Sequence, residues 1–149
     1  MLAALALRLA GYRPLVMDLV SVAHDYDHVV AVFREDHCWG AISKTNHGVL
    51  RYREPVYRTI RELAMSYFHE YFLDNGEKTL RSYSNPVDLS QFDVRGWMTA
   101  EEDVWYMPEF LDRVRHFPIL TKKQVRNLRP ADDIERKMGK ITEWKKRTS

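Results

Sequence analysis

Two short apolar runs rich in β-branched residues, PLVMDLVSV at 14–22 and HVVAVFR at 28–34, stand five residues apart in the chain. Each is of strand length and shows no alternation of polar and apolar positions, so each reads as a strand covered on both faces. Glu35-Asp36-His37 forms a turn, and CWGAISK at 38–44 returns as a third strand, giving an antiparallel hairpin. Buried strands of this kind pack against other layers of secondary structure. The chain is therefore expected to be α+β, an antiparallel sheet packed on helices.

Helices for those layers can be found in the pattern. Residues 2–10 place Leu2, Leu5, Ala6 and Leu9 on one helical face, and Gly11 supplies the stop. No Ser, Thr, Asp or Asn precedes the run, so that helix starts without a side-chain cap. Pro55 sits where a first-turn proline opens a helix, and Val56, Ile60, Leu63, Ala64, Tyr67, Phe68 and Tyr71 follow as a continuous stripe, ended by Asp74-Asn75-Gly76. Residues 76–120 show no clean period and read as loops, short helices and one strand. A last helix is expected from about Ala131, with Asp132, Asp133 and Glu135 in its first turn and Lys145, Lys146 and Arg147 in its last. Its docking face would be Ile134, Met138, Ile141 and Trp144. This divides the chain into a core over 1–120 and a basic helical segment over 121–149.

The 149 residues are 45% hydrophobic and 30% charged, the balance of one globular domain rather than of a disordered chain. A single cysteine, Cys38, excludes an internal disulfide and a thiolate zinc cluster. No apolar run approaches the length of a membrane span. The opening MLAALALRLAG lacks a basic leader, is interrupted by Arg8, and has no cleavage site after it, which reads as a core helix of a cytoplasmic protein. Net charge is only +2, but residues 122–149 hold ten Lys and Arg against four Asp and Glu. A basic segment on an acidic body is usually a solvated helix; it also suits an acidic partner.

The densest polar cluster is His24-Asp25-Tyr26-Asp27-His28. In an extended chain His24 and His28 stand roughly 13 Å apart at about 3.3 Å per residue, too far to share one ion. His69 in HEYF lacks the second histidine of a zinc-protease motif. No metal and no cofactor are expected, and a metal-dependent hydrolase built on His24, Asp25 and His28 is the least favoured function. His28 at the start of a core strand also reads as a general base, with Ser43 and Asn46 just beyond the facing strand as acceptors to orient its ring. There is no phosphate loop and no GxSxG.

The stretch from His28 through Val29-Val30-Ala31-Val32-Phe33, then Cys38-Trp39-Gly40 and Ala41 to Asn46, resembles the histidine strand and following strand of the transglutaminase-like, papain-related cysteine protease superfamily. WGAISKTNH at 39–47, LRYREPVY at 50–57 and RELAMSYFHEYF at 61–72 are similar to a group of bacterial transglutaminase-like proteins. The resemblance implies that His28 is the catalytic histidine. It leaves the third position open. Ser43 has the strand parity and the offset from Trp39, whereas Asn46 has the better chemistry for orienting an imidazole and is preferred.

In that superfamily the nucleophilic cysteine opens a buried helix just before the histidine strands, where the positive helix end lowers the thiol pKa. Residues 2–10 resemble that helix, and the chain begins inside or just after the point where the cysteine would stand. Cys38 does not replace it, being roughly 15–20 Å from His28 by strand rise. The expected function is thus a cysteine peptidase or acyltransferase type of domain, with a peptide or protein as substrate, inactive in this chain for want of the thiol. The alternative is a non-enzymatic interaction module that uses the basic last helix.

Overall fold

The computed structural model describes residues 1–43 and 45–143. Seven strands form one antiparallel sheet: β1 (Leu15–Val20), β2 (His28–Glu35), β3 (Cys38–Ile42), β4 (Arg53–Tyr57), β5 (Ser82–Ser84), β6 (Val87–Asp88) and β7 (His116–Pro118). Their order is β4-β3-β2-β1-β5-β7, and β6 pairs with β1 beside β5. The helices are α1 (Leu2–Leu9), α2 (Ile60–Ser66), α3 (Tyr106–Leu111), α4 (Lys122–Arg126) and α5 (Asp133–Gly139), with 3₁₀ turns at Phe68–Glu70 and Leu89–Arg95. No helix among the described residues is long and apolar enough to cross a membrane.

The central strands are apolar throughout because both their faces are covered. Met17, Leu19, Val30, Val32 and Ala41 point to one core, shared with Leu63, Ala64 and Tyr67. Val16, Ala31 and Phe33 point to the other, shared with Ala4 and Leu7 of α1 and with Met107 and Leu111 of α3. The hairpin of β2 and β3 pairs Glu35 with Cys38 at its turn, and Asp36 and His37 take positive φ there. Helix α1 begins at Met1 without a side-chain cap. Its buried face differs from the expected one: Ala4 and Leu7 are buried, whereas Leu2 and Leu9 are 81% and 82% exposed. The small Ala4 lets the helix approach the sheet, which turns Leu2 and Leu9 outward.

The helix expected to open at Pro55 begins at Ile60 instead. Pro55 lies in β4, where a missing N–H is tolerated because β4 is an edge strand. The register also shifts between Trp39–Tyr57 and Ala41–Arg53, so Pro55 faces an irregular stretch of the ladder. Across that stretch lies Gly40, whose missing Cβ leaves room for the Phe33 ring. Helix α2 starts at a capping box, Thr59 with Glu62. From there the expected stripe holds: Leu63, Ala64, Tyr67, Phe68 and Tyr71 are buried, and only Val56, now on β4, is exposed.

Helix α5 begins at the Asp132–Glu135 capping box, with Asp133 and Glu135 in its first turn. Its expected docking face points outward, with Ile134, Met138 and Ile141 at 75%, 44% and 63% exposure. Trp144 and the basic residues 145–147 lie outside the described residues. Main-chain hydrogen bonds tie the segment down, with Ala131 buried at its start and the Phe72 ring against Gly139. Ala131 N–H donates to Gly76 O, Gly48 N–H to Ile141 O and Glu143 N–H to Asn46 O. Those bonds lay α5 against the loop that follows β3, beside the start of β2.

Candidate functional site

His28 is the first residue of β2, opposite Leu19 of β1. The loop before it is organised by its own acids. Asp27 accepts the N–H and the hydroxyl of Ser21, Asp25 accepts the Thr79 hydroxyl, and His24 Nε2 is 2.9 Å from Glu77. The carboxylates of the His24–His28 cluster thus fix the loop. Among the described residues no group of three His, Cys, Asp or Glu is arranged to hold a metal ion.

The His28 side chain shares a sheet face with Ser43, and Nε2 lies 2.7 Å from the Ser43 Oγ. That hydroxyl donates its only hydrogen to the carbonyl of Leu50, at 2.6 Å. A carbonyl accepts and cannot donate, so Ser43 has only lone pairs to offer the ring. Neutral His28 therefore carries its proton on Nε2 and its lone pair on Nδ1, which has no partner among the described residues. Burial disfavours the charged ring and lowers the pKa of His28 below that of a free histidine.

Leu50 is fixed from both sides. Its backbone takes a positive φ of 55°, a conformation that costs a side-chain-bearing residue about 1–2 kcal/mol. Its carbonyl accepts from Ser43, and its N–H donates to Glu70 Oε2 at 2.7 Å. Glu70 is in turn paired with Arg53 at 2.7 Å. Arg53 donates to the hydroxyl and carbonyl of Ser66 and lies over the Tyr67 ring at 4.2 Å. A continuous chain of contacts thus runs from His28 through Ser43, Leu50 and Glu70 to Arg53, tying β2 and β3 to α2.

His28 borders a cleft of about 260 Å³. Asp25, Tyr26 and Asp27 form one side, Thr45, His47, Val49 and Leu50 another, and Glu70–Phe72 with Arg136 and Gly139 close it. Tyr71 donates its hydroxyl to the Tyr26 carbonyl across the cleft, and burial raises its pKa. A second histidine reaches this cleft that the sequence did not single out. His47 Nδ1 is 3.0 Å from Gly139 O and must donate to it, leaving Nε2 as the acceptor. The bridge to α5 is what places His47 there, and nothing local in the sequence signals it.

Of the two candidates for orienting His28, the structure brings Ser43 to the ring. Asn46 is exposed, and its carbonyl accepts from Glu143 N–H. Cys38 lies at the turn end of the hairpin, about 23 Å along the strand from His28 at about 3.3 Å per residue. Helix α1 packs on the sheet face opposite His28. Its N-cap Met1 nevertheless lines the same small hollow as Val29, so α1 begins near the end of β2 where His28 stands. A scan against protein-family models finds no match, and no curated protein matches the sequence.

Proposed function

We propose that the chain is a transglutaminase-like, papain-related domain of the cysteine peptidase and acyltransferase type, with His28 as general base and Ser43 as its orienting partner. The observation that carries this reading is the hydrogen-bond sequence from His28 Nε2 through Ser43 Oγ to Leu50 O. It holds the imidazole in one tautomer, with Nδ1 unpartnered among the described residues, on a histidine that borders a cleft. In the reaction, Nδ1 takes the proton of a thiol, the sulfur attacks an amide or acyl carbon, and the proton passes to the leaving amine. A peptide or protein is the substrate class.

The sulfur is the missing part. Cys38 is the only thiol among the 149 residues and stands at the wrong end of β2. The 149 residues by themselves are accordingly inactive.

The test adds a helical segment upstream of Met1 that opens with a cysteine and measures its alkylation by iodoacetamide at pH 7. Alkylation at least ~10-fold faster than that of free cysteine, lost in His28→Gln, is the expected result. A rate indifferent to His28→Gln overturns the proposal. Activity in the 149-residue chain that Cys38→Ser abolishes would overturn it as well.

A further inference from the structure

A second hollow, of about 410 Å³, opens between residues 75–81 and residues 125–130. Three cations line it, Lys78, Arg81 and Arg129, against one carboxylate, Glu77. Lys78 is the exceptional member, because its side chain is only 4% exposed. Its Nζ lies 3.4 Å from His69 Nδ1. Its carboxylate neighbour Glu135 stands at 3.9 Å, the outer limit of an ion pair. Both contacts are long for a buried ammonium, which leaves it able to take a closer anionic partner.

The carboxylates nearby are already engaged. Glu135 Oε2 accepts the Asp132 N–H at 2.8 Å and faces Arg129 at 3.4 Å. Glu77 is held by His24 at 2.9 Å. The guanidinium of Arg81 uses only Nη1, on the carbonyls of Lys78 and Leu80, so Nε and Nη2 have no partner among the described residues. Arg129 stands at the mouth with its side chain 67% exposed. Val125 and Leu128 form an apolar wall beside these cations.

We propose that this hollow binds a phosphate group, with Arg81 and Arg129 donating from two sides and Lys78 supplying the buried charge. A single carboxylate would satisfy one guanidinium fork; a phosphate dianion has the charge and the oxygens to meet the three cations that line the hollow. Such a site gives the basic C-terminal region a ligand of its own, apart from the His28 cleft.

Isothermal titration of the 149-residue chain at pH 7.5, in chloride of matched ionic strength, tests this with sodium phosphate, glycerol 3-phosphate and sodium acetate. Saturable one-site binding of the two phosphates is expected, with acetate at least about 10-fold weaker. Arg129→Gln, at an exposed position that leaves the fold intact, is expected to weaken phosphate binding about 10-fold. Glu77→Gln tightens it, and the remote, exposed Arg113→Gln leaves it unchanged. Tighter binding of glycerol 3-phosphate than of phosphate assigns the site to a phosphate ester resting on Val125 and Leu128, and equal binding assigns it to the free ion. Absence of saturable binding, or equal affinity in Arg129→Gln, overturns the proposal.

Discussion

Replacing Ser43 by Ala removes one atom that serves two groups. The His28 Nε2–H loses its acceptor and the Leu50 carbonyl loses its donor. Ser43 is 7% exposed, so water does not simply take its place. A buried donor left unmatched costs about 1–3 kcal/mol, and the more accessible Leu50 carbonyl adds little. A loss of about 2 kcal/mol is expected, which in a chain of this size lowers Tm by about 4–8 °C. The ring responds too: without Ser43 the proton of neutral His28 redistributes between Nε2 and Nδ1. Thermal unfolding and 15N NMR of the histidine side chains measure both effects. Asn46→Ala is the matched control, expected to change stability by less than about 0.5 kcal/mol and to leave the tautomer alone. A Ser43→Ala protein with unaltered Tm and tautomer, or an Asn46→Ala protein that shifts either, would refute the assignment of Ser43 as the orienting group.

Further outcomes follow from single contacts. Burial lowers the pKa of folded His28, so below the ordinary histidine value of about 6.5 the unfolded chain binds a proton that the folded chain refuses. Stability is complete above that pH and falls as pH drops through it toward the lowered value. Urea midpoints between pH 7 and 5 are expected to decline less steeply in His28→Gln than in the wild type; parallel declines would contradict this. Gly40→Ala places a Cβ 2.6 Å from Phe33 Cζ and 3.0 Å from the Arg53 carbonyl, and chemical denaturation should register a loss of about 1–3 kcal/mol. Thr59→Ala removes the capping box of α2 and is expected to lower stability by about 1 kcal/mol, with helix loss visible by circular dichroism on mild heating.

Much of the scaffold is written locally. The β-branched runs around Val16–Val20 and Val29–Phe33 become the central strands, and the tight link between them and CWGAI makes the hairpin, because strand pairing across a short turn needs no distant information. The stripe from Leu63 to Tyr71 was legible for the same reason. The start of α2 was misplaced at Pro55, although the Thr59–Glu62 pair carries the signal for it. Proline opens helices and also sits in edge strands, and only the sheet order reveals that β4 is an edge.

The site divides in the same way. Sequence alone placed His28 at the start of a core strand and offered Ser43 and Asn46, just beyond the facing strand, as partners for its ring, with Asn46 preferred. Tertiary structure decided the rest. Ser43 orients the ring because Leu50, held at positive φ by Glu70 and Arg53, presents its carbonyl there. His47 enters the cleft because residues 139–143 fold back on residues 46–48. Glu135 stands 3.9 Å from the buried Lys78 because α5 folds back beside it. These are contacts between residues far apart in the chain, made by groups whose local sequence favours no one partner, so only the folded chain selects them.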